Sequence, residues 1–158
     1  DQIARRWLPR LLTQVCRDPG SRQHGCFDRD WWHYRIRDFP SIILQQGGYA
    51  LHLAGQLRAN AAASEALTSL AAATARFWVQ RALRRGAFEE YYPWEQGYPP
   101  LAFATLAVMK LAAQGVLKPE EVRPGAAVAC RQLRERFEPQ AANQQVAGLA
   151  ALAQCRRL

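Results

Sequence analysis

The sequence predicts an all-α domain, with about six helices arranged as three tandem helical hairpins. Three observations lead there. No segment alternates apolar and polar residues with period two over a strand's length, whereas apolar residues spaced three and four apart recur along the chain. Helix-ending and helix-starting residues fall between those segments: Asp18-Pro19-Gly20, Pro40, Gly86, Pro99-Pro100, Gly115 and Pro119. A helix–loop–helix unit also repeats.

Each element follows from local pattern. A first helix is expected from about Gln2 to Cys16, with Ile3, Trp7, Leu11 and Val15 on one stripe. A second starts after Pro40, a good first-turn residue, and carries Ile43, Leu44, Leu51 and Leu53. Gly47-Gly48 inside it costs about 1 kcal/mol per glycine relative to alanine, which implies close packing against a neighbour. The third spans roughly Ser64 to Arg85 and stops at Gly86. The fourth starts at Pro99-Pro100 and ends near Gly115. The fifth follows Lys118-Pro119-Glu120 and reaches Phe137, with a possible break at Pro124-Gly125. The sixth runs from Gln140 to the C-terminus.

The repeat is internal. Gly25-Cys26-Phe27-Asp28 is echoed sixty-one residues later by Gly86-Ala87-Phe88-Glu89. Each copy leads through aromatic and charged residues to proline and then to an apolar helix. A weaker third copy, Arg131 to Pro139, carries Phe137-Glu138 and leads into the small-residue segment Asn143 to Ala153. The chain therefore reads as one domain, 1–158, with hairpin units at roughly 1–57, 64–115 and 118–158. Stacked units of this kind share a core and present their loops on one face.

Composition narrows the function classes. With 158 residues, 49% of them hydrophobic, the chain is neither disordered nor low in complexity, and a chain this size buries about two-thirds of its unfolded surface. No apolar run reaches the ~18 residues of a membrane span. The start, Asp1 followed by Arg5 and Arg6, does not read as a signal peptide and points to a processed or excised chain; the compartment, cytoplasmic or periplasmic in a soluble bacterial protein, stays open. The net charge is +8, and apart from Lys110 and Lys118 every basic residue is arginine. That bias reflects either a GC-rich genome or an anionic partner, which the planar guanidinium fork suits. Four cysteines show no C-x-x-C pair. Cys16 and Cys26 flank one loop and could bridge, whereas Cys130 and Cys155 read as small core residues.

The loops carry the candidate chemistry. Gly25 to Pro40 places Asp28, Asp30 and Asp38, Arg29, Arg35 and Arg37, and Phe27, Trp31, Trp32, Tyr34 and Phe39 around His33. Gly86 to Pro100 sets Glu89, Glu90 and Glu95 among Tyr91, Tyr92, Trp94 and Tyr98. Loops are normally small and polar, so large aromatics there either dock into the core or line a cleft. Rings that stack on sugar faces, beside groups that bond hydroxyls or carboxylates, suit a glycan site. His33 is the best acid/base candidate by chemical type. His24 reads as a loop residue and His52 as a helix-face residue. Asn143 is either an N-terminal cap or a polar group at the cleft floor. No residue set has metal-ligand spacing, no serine sits in a nucleophile elbow and no glycine-rich phosphate loop occurs, so neither metal nor cofactor is expected.

The stretch GAFEEYYPWEQGYPPLAFATLAVMKLA resembles the hairpins of α/α-toroid polysaccharide-processing proteins, in particular the helical domain of heparinase II/III-like proteins. In that family a Gly-x-Phe-x-Glu-x-Tyr-Pro-x-Glu loop leads into an inner helix of small residues. The matching positions are Gly86, Phe88, Glu90, Tyr92, Pro93, Glu95, Tyr98, Ala102 and Phe103. Asn143-Gln144 is similar to the start of another inner helix. The likeness covers 25–153 in pattern and is close only from Gly86 to Lys110. It implies an acidic, uronate-containing polysaccharide or oligosaccharide as partner, bound at the inner-helix ends. A closed toroid needs more than six helices, so this chain would form an open arc, without the β-sandwich that usually follows. The lyase chemistry of the family implies acid/base roles for His33 with Tyr34 or Tyr92, and carboxylate neutralisation by Asn143 and by Arg35 or Arg37. No motif fixes these assignments.

Three readings remain. The first is a glycan-binding domain, with a hydrolase version using Asp30 and Glu95 if they stand about 5 to 10 Å apart, and with Trp31, Trp32, Glu90, Tyr91, Trp94 and Tyr98 as ligand contacts. The second is a non-catalytic helical-repeat module that binds protein. The third, nucleic-acid binding, is disfavoured because the basic residues are scattered and the loops hold carboxylates that repel phosphate.

Overall fold

The computed structural model describes residues 2–27, 41–86, 88–90 and 95–157. Among them are six α-helices and no strand: α1 (Gln2–Gln14), α2 (Gly47–Gln56), α3 (Ala61–Arg85), α4 (Tyr98–Ala113), α5 (Pro119–Glu135) and α6 (Ala142–Cys155). A 3-10 turn, Ile42–Gln46, leads directly into α2.

The helices form two layers. α2, α4 and α6 lie side by side, with α4 in the middle; α3 and α5 pack on one another behind them. α1 touches α2 alone among the helices, and α6 lies at the other end of the row against α4 and α5. The most extensive packing crosses the expected hairpin boundaries, α2 on α3 and α4 on α6.

The central position of α4 follows from its composition. Leu101, Ala104, Val108 and Leu111 are buried on one side, and Ala102, Thr105, Met109 and Ala112 on another. Few other helices could tolerate neighbours on so many sides. α3 buries the stripe Leu67, Ala71, Ala75, Trp78 and Ala82, and around its middle also Ala72, Ala73, Thr74, Phe77 and Val79. Asn60 caps it, its side chain accepting from the Ala63 N–H at 3.0 Å, and Gly86 ends it in the left-handed conformation at φ 57°. α5 begins on Pro119 with the Glu121 carboxylate accepting the Lys118 N–H at 2.9 Å. It runs through Pro124 unbroken. The proline removes one early backbone bond, and burial of Val122, Ala126, Ala129 and Leu133 holds the helix together.

Glycines set the closest contacts. A Cβ on Gly47 would meet the Phe27 ring at 2.7 Å, and one on Gly48 would overlap Thr74 Oγ1 of α3. Gly55, two turns on, lies against the Ser64 carbonyl at 3.1 Å from such a Cβ. The glycine pair expected to mark close packing does so, on α3 and on the first loop.

Two expectations change. On α1, Leu8 is buried and Leu11 and Leu12 partly so, while Ile3 is 77% and Trp7 49% exposed. Among the described helices α2 is its single neighbour, and it covers only the Leu8 side of α1. The disulfide joins Cys130 to Cys155, linking α5 to the end of α6, rather than Cys16 to Cys26. The 16–26 loop is closed by backbone bonds instead: Cys16 N–H to Cys26 O and Gly25 N–H to Cys16 O, both 2.9 Å, beside an isolated bridge between Val15 and Phe27.

That closure is anchored by Gln45, which is wholly buried. Its Oε1 accepts the Phe27 N–H at 2.6 Å, and its Nε2 donates to the Gly25 and Thr74 carbonyls at 3.0 and 2.9 Å. Replacing Gln45 with leucine keeps the volume and leaves three buried backbone groups without this partner. At about 1–3 kcal/mol for each such group, partly relieved by relaxation, the loss should be roughly 3 kcal/mol or more, read as a lower urea midpoint at unchanged slope.

Candidate functional site

The described residues leading into α2, α4 and α6 lie at one end of the helix row. The short turns 57–60 and 114–118 lie at the other, as antiparallel hairpins require. Three sets of hydrogen bonds tie the described parts of these loops together. The Ile42 N–H donates to the Glu89 carbonyl at 2.8 Å, and the Ser41 hydroxyl donates to the Glu90 carbonyl at 3.2 Å. Gln132 Nε2 donates to the Gly86 carbonyl. The Arg136 guanidinium donates to the Gln96 carbonyl at 3.1 Å and to its side-chain oxygen at 2.5 Å.

The glycine–x–phenylalanine echo has a shared geometry. Gly25 and Gly86 both take positive φ, 82° and 57°. At each, the chain leaves its helix layer sharply and drives a phenylalanine inward, Phe27 in one copy and Phe88 in the other, both fully buried. A Cβ on Gly25 would collide with the Ala73 backbone of α3. Phe88 packs on Trp78 with ring centroids 5.9 Å apart.

Glu89 follows Phe88 inside. It is fully buried, and its carboxylate takes a 2.6 Å charged hydrogen bond from Arg81. The start of the second loop is thus docked into the core, one of the two outcomes expected for loops of this composition. Arg81 Nε and Gln132 Oε1 are buried with no hydrogen-bond partner among the described residues. They are polar atoms directly beside the loop.

The predicted site residues divide sharply. Asp30, Trp31, Trp32, His33, Tyr34, Arg35, Arg37, Tyr91, Tyr92 and Trp94 lie outside the described residues. Glu90, Glu95, Tyr98 and Asn143 lie within them. Glu90 and Glu95 are half-buried. The Glu90 carboxylate stands against Gly97, 3.4 Å from where a Cβ would sit; Gly97 is the N-cap of α4, a position whose partial positive charge favours a carboxylate. Tyr98 is buried at the start of α4, with its hydroxyl against the Gly148 backbone of α6. Burial first, and Glu138 nearby second, raise its pKa above the ordinary 10.0. Asn143 is exposed on the first turn of α6. It is not the cap: the cap is Ala141, whose carbonyl accepts the Gln144 and Gln145 N–H groups at 3.0 and 3.1 Å.

His52 is buried on α2, with Nδ1 3.4 Å from Thr68 Oγ1 and Nε2 3.1 Å from Gln56 Nε2, a packed and bonded imidazole away from the loops. No group of three metal-ligating side chains occurs among the described residues. None of their helices is long and apolar enough to cross a membrane.

Comparison with protein-family models, curated proteins and solved structures finds no match to this chain. Its function must therefore be argued from its own residues. Those the sequence reading overlooked are Gln45, Arg81, Gln96, Gln132 and Arg136, which hold the loops. Gln45 had a legible signal, a polar residue amid the apolar start of a helix; the others look like ordinary surface residues of polar segments.

Two outcomes are expected. Glu89→Gln leaves the Arg81 guanidinium buried without its counter-charge and should cost about 3 kcal/mol in chemical unfolding, whereas an Arg81→Met/Glu89→Leu double variant should recover most of that loss. For Tyr98, the unfolded chain ionises near pH 10 while the folded chain holds the phenol protonated to higher pH. Stability should therefore fall as pH rises past 10, and Tyr98→Phe should flatten that fall in thermal melts.

Proposed function

We propose that this chain binds an acidic, uronate-containing polysaccharide at the face where α2, α4 and α6 begin, and that any turnover there is of lyase or hydrolase type. The observation that carries this reading is the convergence of the loops: Ser41 and Ile42 bond the Glu90 and Glu89 carbonyls, and Arg136 bonds Gln96. A composite site needs its loops at one end of the stack, and the described portions meet there. The face also gathers the N-terminal ends of α4 and α6; Glu90 already stands at that of α4, and the partial positive charge at the start of α6 favours a carboxylated ligand. On this reading Trp31, Trp32, Tyr91 and Trp94 supply sugar-stacking rings. Arg35 or Arg37 neutralises the uronate carboxylate. His33 with Tyr34 or Tyr92 acts as acid and base in a lyase, and Asp30 with Glu95 in a hydrolase. Tyr98, buried at the α4–α6 contact, supports the site from beneath.

A second reading, a non-catalytic helical-repeat module that binds protein, draws on a different surface. Ile3, Trp7, Leu53 and Leu57 are exposed and line a groove between α1 and α2. Contiguous apolar surface of this sort marks interaction sites.

Titration with alginate, heparin and chondroitin oligosaccharides separates the two. Binding should weaken with salt and drop about tenfold or more in an Arg35→Ala/Arg37→Ala variant, since a charge-assisted hydrogen bond is worth about 1.5–3 kcal/mol. Lyase turnover should add the ultraviolet absorbance of a 4,5-unsaturated product. Absence of binding to all three polymers would leave the protein-binding reading standing.

A further inference from the structure

We propose that the cleft between the 16–26 loop and α3 is a docking groove for an extended acidic peptide of a partner protein. This surface is distinct from the α1–α2 groove, and the proposal does not rest on the glycan reading.

One wall of the cleft is α3. Ser69, Ala73, Arg76, Gln80 and Arg84 fall three or four residues apart and so share one face of that helix. From Ser69 to Arg84 the face runs about 22 Å at 1.5 Å per residue. That length accommodates about seven residues of extended chain. The other wall is the loop, which brings Arg22 and His24 to the cleft. The volume enclosed is about 990 Å³.

The loop wall is set before anything binds. Its ends are joined by the Cys16 N–H to Cys26 O and Gly25 N–H to Cys16 O bonds, and its turn by the Ser21 N–H to Asp18 O and His24 N–H to Ser21 O bonds, both 3.1 Å. Gly25 abuts Ala73 so closely that a Cβ would overlap the α3 backbone. A preformed wall lowers the ordering cost of binding.

Charge and shape then select the occupant. Arg22 and Arg84 are exposed, and among the described residues neither has a hydrogen-bond or ion-pair partner. Arg76 is held by Glu121 at 2.9 Å. Of the acids on the two walls, Asp18 accepts the Gly20 N–H at 2.9 Å, and Glu65 sits one turn before Ser69, outside the lining. The guanidinium forks of Arg22 and Arg84 fit carboxylates. Beside Arg84, Leu83 is 56% exposed and offers aliphatic contact, whereas Phe77 is only 6% exposed. Sugar faces and nucleobases stack on exposed rings, and the described lining presents none. Carboxylates interspersed with aliphatic side chains on an extended backbone match both parts of this lining.

The test selects a random heptapeptide display library on the immobilised full chain and titrates the enriched peptides by fluorescence anisotropy. They should carry several acids beside an aliphatic residue, and their binding should weaken with salt. Because both arginines are exposed and unpartnered, an Arg22→Gln/Arg84→Gln variant should fold normally by circular dichroism. It should bind about tenfold or more weakly, and Leu83→Ser about threefold more weakly. Arg35→Ala/Arg37→Ala should bind the peptides unchanged. Enriched peptides without acids, or acidic ones that bind the Arg22→Gln/Arg84→Gln variant undiminished, would overturn the proposal. A loss in the Arg35→Ala/Arg37→Ala variant would place the peptide on the loop face and overturn it too. So would displacement of the peptide by alginate oligosaccharide or oligothymidylate at lower concentration than by the peptide itself, since the groove would then belong to a glycan or a nucleic acid.

Discussion

The carboxamide of Gln45 is the interaction on which the loop face depends. A buried amide must satisfy both its oxygen and its nitrogen, because an unmade bond in a low-dielectric interior costs more than a made one contributes. Gln45 does so with the Phe27 N–H, the Gly25 carbonyl and the Thr74 carbonyl. Its own backbone sits in the 3-10 turn that carries Ile42. Ile42 in turn bonds Glu89, whose carboxylate returns to Arg81 on α3. The path from Thr74 through Gln45, Ile42 and Glu89 to Arg81 begins and ends on the same helix, so each member restrains the others.

The second and third loops meet the same requirement by other means. Irregular backbone near a core must find hydrogen-bond partners that a strand or helix would otherwise supply. Here side chains from neighbouring helices do it: Gln132 of α5 for Gly86, Arg136 for Gln96, and Gln145 of α6 for the Glu138 N–H at 3.0 Å. The second loop is held by residues of the third unit, while Gln45 and Gln145 hold the first and third loops from within their own units.

What could be read from the sequence was governed by short-range rules. Helix stops and starts followed from Gly86 and Pro119, the Asn60 cap ahead of Ser64 was missed, and the Gly25–Phe27 and Gly86–Phe88 echo marked two turns of shared geometry. Gly47-Gly48 announced a close approach, although not that Phe27 and Thr74 would be the groups approached. Periodicity set Ile3, Trp7, Leu11 and Val15 on one stripe of which only the later half is covered, because burial of Ile3 and Trp7 depends on which neighbours exist. Arg6 and Arg10 instead lie over the Trp7 ring, 5.7 and 5.5 Å from its centroid. Cysteine pairing was beyond the sequence for a related reason. A Cys16–Cys26 bridge was open and Cys130 and Cys155 read as separate core residues, while the fold brought together these two, 25 apart on different helices. In the candidate site, residue types were legible and partners were not: Glu89 read as one of three loop carboxylates and is an interior one.

Charge is where these threads join. Six of the 13 acidic residues fall in the two aromatic loops: Asp28, Asp30, Asp38, Glu89, Glu90 and Glu95. Glu89 is paired to Arg81, and Glu90 stands at the positive end of α4. Two of the loop acids are thus answered from within, one by a guanidinium and one by a helix end. Meanwhile Arg123, Arg134 and Arg156 line a crevice beside Cys130 and Cys155. The excess of +8 is therefore not one field spread over a sphere. It divides into local environments, and the described part of the loop face is the one in which acids and their partners are interleaved.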